Sequence, residues 1–176
     1  WINSGIIWYV HEKFFNIKCR TSGLQPDAVV LVATTKALKM HGGVKKEDLG
    51  EENVDAVTLG CKNLEKHVEN INKFGVPVIV AINDYVSDTK REHNTIINFC
   101  KNLGIQCKIS SHWEKGGKGA SELAEEVAKL VDSNISEFKT LYEDAMSLWD
   151  KTKYVAQNIY GAQDIIADKR VRNQFK

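Results

Sequence analysis

Two aromatic residues stand where the chain leaves its apolar runs and turns polar. Tyr85 lies in NDYVSDT, residues 83 to 89, and Trp113 in SSHWEKGGKGASE, residues 110 to 122. An indole between two serines, a histidine and a GGKG run is hard to account for by packing, and a flat ring presented there can stack on a planar heterocycle. The same loop feeds a helix start, which favours a polar or anionic group on the ligand. Tyr85 has two readings of equal weight, a stacking ring or a side chain packed on a neighbouring helix. Asn83 and Val86 flank it, and Ser87 or Asp88 is placed to cap the next helix. A third stretch, VATTKALKMHGG (32–43), brings Lys36, Lys39 and His41 to a loop ended by Gly42 and Gly43. It reads either as a loop that approaches a charged substrate closely or as a solvated connection with glycines for a turn.

Other chemistries lack their residues. A phosphate loop ending at Gly117 and Lys118 would need glycine at His112 and Ser or Thr at Gly119, and the glycine spacing is not that of a dinucleotide fingerprint. Ser110 and Ser111 neighbour His112 without a GxSxG elbow. No HExxH or comparable spacing marks a metal centre, so no metal ligand is assigned. Cys19, Cys61, Cys100 and Cys107 are scattered without a CxxC pair and read as reduced structural thiols. The carboxylates fall mostly on helix surfaces.

The elements that must carry these loops are set by the hydrophobic pattern. Ala28 to Ala33, Val76 to Ile82 and Ile105 to Ile109 are short Val- and Ile-rich runs, and the first two are nearly continuous in hydrophobicity, the pattern of strands buried on both faces of a parallel sheet. Between the first two, Val54, Val57, Cys61, Leu64, Val68 and Ile71 recur at helical steps, closed by Gly75 and Pro77. Between the second and third, Thr89 and Glu92 have capping-box spacing, and His93, Ile96, Ile97, Cys100 and Leu103 form an apolar stripe ended by Gly104. A third helix begins after Gly119, a fourth spans about Ser147 to Tyr160 with Trp149 and Tyr154 as core or interface residues, and 168–176 reads as a frayed helix or a truncated element. Strand–helix alternation implies an α/β fold, a parallel sheet with flanking helices and right-handed crossovers. Ligands of such sheets sit beyond the carboxyl ends of the strands, where loops 34–43, 83–88 and 110–119 converge.

Composition bounds the partners. The 176 residues are 43% hydrophobic and 27% charged, enough for one sizeable core, and 24 Lys and Arg against 23 Asp and Glu leave no field for nucleic acid. No apolar run approaches the roughly 20 residues of a membrane span, and no secretory leader pattern is present, so a cytoplasmic protein is expected.

EKFFNIKCRTSGLQPDAVVLVATTKALKMHGG, NLEKHVENINKFGVPVIVAIN, HWEKGGKGASELA and IYGAQDI occur in this order. Together they resemble the formate–tetrahydrofolate ligases. One family signature reads VAT, Ile or Val, RALK, any residue, His or Asn, then GG, and residues 32–43 are similar to it. The resemblance covers Glu12 to about Ile165. It divides the chain into a divergent stretch 1–11, a partial α/β ligase domain 12–165 and a tail 166–176.

The resemblance implies a P-loop NTPase-like nucleotide domain. It also implies an ATP-dependent ligase that makes formyl phosphate from formate and passes the formyl group to tetrahydrofolate. Magnesium, a monovalent cation and a homotetramer go with it. Family members stack folate between an aromatic residue after the AIN strand and the Trp of a WxKGG loop, which fall here on Tyr85 and Trp113. Lys36, Lys39, His41, Gly42, Gly43, Asn83, Val86, Asp88, Gly116 and Gly117 are further candidates lining that site.

The departures are specific. Thr35 stands for Ile or Val, Lys36 for Arg, and Tyr85–Val86 for Phe-Pro. WINSGIIWYVHEKFF stands where the family reads approximately TEAGFGADLGxEKFF, and DAMSLWDK where it reads LDLPIKEK. The P-loop and the residues that hold formyl phosphate are expected upstream of residue 1, and a further domain after residue 176. The isolated chain is therefore expected to lack ligase activity. The alternative is a non-catalytic protein that binds folate or a complete subunit.

Overall fold

Apolar runs rich in Val and Ile form three parallel strands here; only the middle one is buried along its length, since Val30, Val32 and Ile109 of the outer two stay exposed, for the first strand against the expectation of burial on both faces. In the computed structural model, which describes residues 10 to 175, these are β1 (Val29–Ala33), β2 (Val78–Asn83) and β3 (Cys107–Ser110), in the order β1-β2-β3. Val29 to Ala33 pair in register with Val78 to Ile82, and Val80 to Asn83 with Cys107 to Ser110. The carboxyl ends of all three strands therefore lie along one edge. The strands are one to two residues shorter at their starts than the apolar runs, because Val76 and Ile105 pack before pairing begins.

Before the sheet, Val10–Lys13, a π-helical Phe14–Cys19 and Arg20–Ser22 run on as one helix, α1, ended by Gly23 at φ 68°. After it come α2 (Thr35–His41), α3 (Val54–Asn72), α4 (Lys90–Asn102), the short α5 (His112–Lys115), α6 (Ser121–Asp132), α7 (Leu148–Asn158) and α8 (Lys169–Gln174). The main core lies between the sheet and α3 and α4, where Leu31, Ala33, Val80 and Ile82 meet Val57, Cys61, Leu64, Val68, Ile71, Ile96 and Cys100. A second cluster joins Phe15 and Cys19 of α1 to Phe74, Val76 and Ile159. At roughly 1.5–3 kcal/mol per fully buried large apolar side chain, these clusters set the fold before any polar contact is made. The α/β class and the expected crossover helices are borne out, and the Thr89–Glu92 capping box is formed in both directions.

The stretch expected as a loop after β1 is a helix. Thr34 is extended and its hydroxyl accepts the Ala37 N–H at 3.1 Å, so it is the N-cap of α2. Gly42 ends that helix where a Cβ would stand 2.1 Å from the Ala56 carbonyl oxygen, and Gly60 of α3 meets Leu38 of α2 in the same way. These glycines let two helices cross closely.

The cap of α4 is Thr89, not Ser87 or Asp88. Residues 168–176 contain an ordered turn, α8, capped by Asp168, with Phe175 edge-on to Trp149 at 5.7 Å. The described cysteines are free, and burial, with Cys100 nearby, pushes the Cys61 thiol up to about 12. Among the described residues no helix is long and apolar enough to cross a membrane. The divergent stretch falls almost wholly outside the described residues.

Candidate functional site

The edge formed by the three strand ends sorts the candidate residues into two groups. Beyond β2 and β3, backbone and side chains lock together. The Asp84 N–H donates to the Ser110 carbonyl at 3.1 Å, continuing the ladder one residue past the strands. The next residues fold into a tight turn, with the Asp88 N–H donating to the Tyr85 carbonyl at 2.8 Å and the Tyr85 N–H donating to Asp88 Oδ2 at 3.2 Å. Asn83 Nδ2 donates to the Tyr85 hydroxyl at 3.1 Å, and the Lys36 ammonium lies 5.6 Å from the centre of the Tyr85 ring.

Trp113 reaches the same turn from β3. Its indole Nε1–H donates to the Asp84 carbonyl at 2.6 Å, so the indole is anchored on the residue next to Tyr85. Both rings stay accessible, Trp113 at 52% and Tyr85 at 37%, and Val86, next in the chain after Tyr85, is 85% exposed. Trp113 lies on the single-turn α5, which the sequence did not predict. The chain then returns through Gly116, at φ 58°, and Gly117. It closes where Ser111 N–H donates to the Gly119 carbonyl at 3.0 Å. A Cβ on Gly119 would stand 2.5 Å from the Ser111 oxygen, so Gly119, outside the expected site set, is the glycine that closes this turn. Lys36, Asn83, Tyr85, Asp88 and Trp113 are thus brought together, with Val86 at the rim.

The other group points elsewhere. Lys39 is completely buried, its ammonium 3.0 Å from Glu92 Oε1 and donating to the Glu51 carbonyl at 2.8 Å. Expected as a donor to a ligand, it is instead the cation of an internal ion pair. Glu92 also accepts the Asn53 N–H at 3.0 Å and the Thr89 N–H at 3.1 Å. Burial would raise the pKa of Glu92, but those hydrogen bonds and Lys39 hold it below the usual carboxylate range. His41 sits at the far end of α2 in a shallow cleft beside β1 with Asn63 and His67, away from Trp113. Burial and the neighbouring His41 lower the His67 pKa. Gly42 belongs to the helix crossing, and Gly43, at φ 91°, comes directly after it.

Sequence reasoning missed two things here. The Lys39–Glu92 pair joins residues 53 positions apart and leaves no local signal. The second is that Asp84, Asp88 and His93 place ligand-type atoms within 4.8 Å of one another. By spacing alone His93 belongs to the apolar stripe of α4, and Asp88 reads as a cap. The DxxxDxxxxH spacing across a strand end and a helix start was the available signal. The neighbouring Asp88 raises the His93 pKa against its burial. For Asp88, burial pushes up, while the His93 ring, the Thr35 hydroxyl and the Tyr85 N–H bring the net below the usual value.

Comparison with known proteins decides the lineage. The family model for formate–tetrahydrofolate ligase matches residues 9–176. The chain belongs to that family. It is 53% identical over 164 residues to the formate–tetrahydrofolate ligase of Granulibacter bethesdensis, covering 93% of this chain and 29% of that protein. The Sinorhizobium medicae ligase is 52% identical over 165 residues, and that of Pelagibacter ubique 49%, each covering 94% of this chain and 29% of the relative. The chain thus spans under a third of the length of the curated ligases it matches.

Proposed function

We propose that this chain contributes the pterin-stacking face of a formate–tetrahydrofolate ligase, an enzyme that joins formate to tetrahydrofolate with ATP. The observation that carries the reading is the anchoring of Trp113 on the residue beside Tyr85, at the carboxyl edge of a parallel sheet, with both rings accessible. A flat heterocycle held between two rings gains orientation as well as burial. Lys36, over one ring, favours electron-rich or anionic groups on the ligand. By the same resemblance the whole enzyme is a cytoplasmic homotetramer that uses Mg2+ and responds to a monovalent cation.

The residues described do not fit a triphosphate. The amide of Ser111, at the mouth of the glycine turn, is taken up by Gly119, and the sequence has no GxxxxGK[ST]. No phosphoryl step is assigned to this chain, whose side chains bind and orient. Incubated with ATP, formate and tetrahydrofolate, the 176-residue chain is expected to form no 10-formyltetrahydrofolate, and formation of that product would overturn the division of labour. Titration with tetrahydrofolate is expected to quench tryptophan fluorescence, with the quench removed in Trp113→Ala. Equal quenching of the two proteins would sink the stacking assignment.

A second reading, a non-catalytic chain that binds folate or a complete subunit through the same face, rests on the departures from the family pattern at that edge, Thr35, Lys36 and Val86. Under the first reading the DNA upstream, translated in three frames, encodes GxxxxGK[ST] and TEAGFG; under the second it does not.

A further inference from the structure

Beneath the aromatic turn lies a set of polar atoms that the protein itself leaves unsatisfied. His93, only 6% exposed, holds Nε2 buried without a hydrogen-bond partner. Its nearest acceptors are Asp88 Oδ2 at 3.5 Å and Asp84 Oδ1 at 3.6 Å, ion-pair distances that exceed a working hydrogen bond. The Asp88 side chain is completely buried, and its Oδ1 has no partner either. Asn83 Oδ1 and Ser87 Oγ, on the adjoining strand end and turn, share that condition. Buried carboxylate and imidazole atoms cost stability unless something pairs with them.

We propose that Asp84, Asp88 and His93 form a binding site for a divalent first-row transition ion of the zinc type. Ligands about 2.0–2.2 Å from a tetrahedral ion stand about 3.3–3.6 Å apart, which is the separation of His93 Nε2 from each carboxylate. One imidazole nitrogen with two carboxylate oxygens suits zinc and its neighbours better than magnesium, which prefers an all-oxygen shell. Two negative carboxylates neutralise the ion. The Asp84 side chain, 29% exposed, gives it a path from solvent.

The site has a structural consequence for the turn above it. Asp84 carries the carbonyl that holds Trp113, and Asp88 carries the carboxylate that holds the Tyr85 N–H. A bound ion would tie both to the start of α4 and fix the spacing of the two rings. This inference stands apart from folate binding, and its test is read without folate.

The probe is Co2+ added to the metal-free 176-residue chain. Visible ligand-field absorption saturating at one ion per chain, displaced by Zn2+, is the expected result. Asp84→Asn and His93→Gln are expected to weaken Co2+ binding by more than the roughly 10–100-fold that loss of an outer-shell partner costs. Asp55→Asn, an exposed carboxylate on α3, is expected to leave binding unchanged. Absence of visible absorption, or equal affinity in wild type and Asp84→Asn, overturns the proposal. If circular dichroism shows His93→Gln to be unfolded, Asp84→Asn decides alone, because that side chain is partly in solvent.

Discussion

The stretch after β1 and the two turns after β2 and β3 all leave the sheet in polar residues, and their fates are opposite. Lysine, histidine and glycine follow β1 and β3, while Asp84, Tyr85, Ser87 and Asp88 follow β2. After β1 the polar atoms turn inward: Lys39 meets Glu92, and Gly42 and Gly60 let α2 lie against α3. After β2 and β3 they stay at the surface, as Tyr85 and Trp113 do, or keep one buried atom without a hydrogen bond, as Asp88 Oδ1 and His93 Nε2 do. Polarity beyond a strand therefore marks a ligand edge only where the protein has not satisfied that polarity itself.

Substitution can break this contrast, and the largest effect is expected at the buried charge. Lys39→Met leaves the buried Glu92 carboxylate without its counter-charge, held only by the Asn53 and Thr89 N–H groups, and should cost about 3–5 kcal/mol in urea denaturation. A cost below about 1 kcal/mol would mean that the pair is not structural. Next come the glycines. Gly42→Ala pushes a Cβ into the Ala56 backbone and should cost about 1–3 kcal/mol in thermal melts, whereas Gly117→Ala, with open space around it, should stay within about 0.5 kcal/mol.

The ligand edge should show the reverse pattern, small effects on stability and measurable ones on binding. Tyr85→Leu is expected to weaken tetrahydrofolate binding by about 0.5–1.5 kcal/mol in calorimetry, the worth of an aromatic pair, while its melting curve hardly moves. The smallest effect belongs to Lys36→Ala, which should lose about 0.5–1 kcal/mol of the same affinity through the cation over the ring. Equal losses of affinity from Lys36→Ala and Lys39→Ala, in folded protein, would erase the distinction between the lysine of α2 that faces the aromatic edge and the one that faces the core.

Much of the fold was legible because it is local. The strands show as unbroken Val and Ile, α3 as a three-and-four repeat, and Thr89–Glu92 as a cap three residues apart. The α2 helix was locally legible too: Thr34 is a good N-cap, Ala37, Leu38, Lys39 and Met40 are helix formers, and Gly42 stops them. The glycine pair and the lysines point to a loop instead, and that cue misleads. What could not be read was non-local. Nothing near Lys39 announces a carboxylate 53 positions on, and nothing near Trp113 announces the carbonyl of Asp84. His93 fits an apolar stripe by spacing, and only the turn beside it shows that its ring faces two acids.

Glu92 gathers contacts from three places in the chain: the ammonium of α2, the backbone just before α3, and the residue that starts α4. That arrangement bears on the order in which the chain can fold. Closing the charge pair requires both crossovers to be docked, since either half alone would strand an ionised group away from water. Intermediates that contain only β1, α2 and α3 give Lys39 the Glu51 carbonyl but bury its charge without an acid. The pair therefore favours an all-or-none transition over a stepwise one, and ties the start of α4, beside the aromatic turn, to α2 and the start of α3.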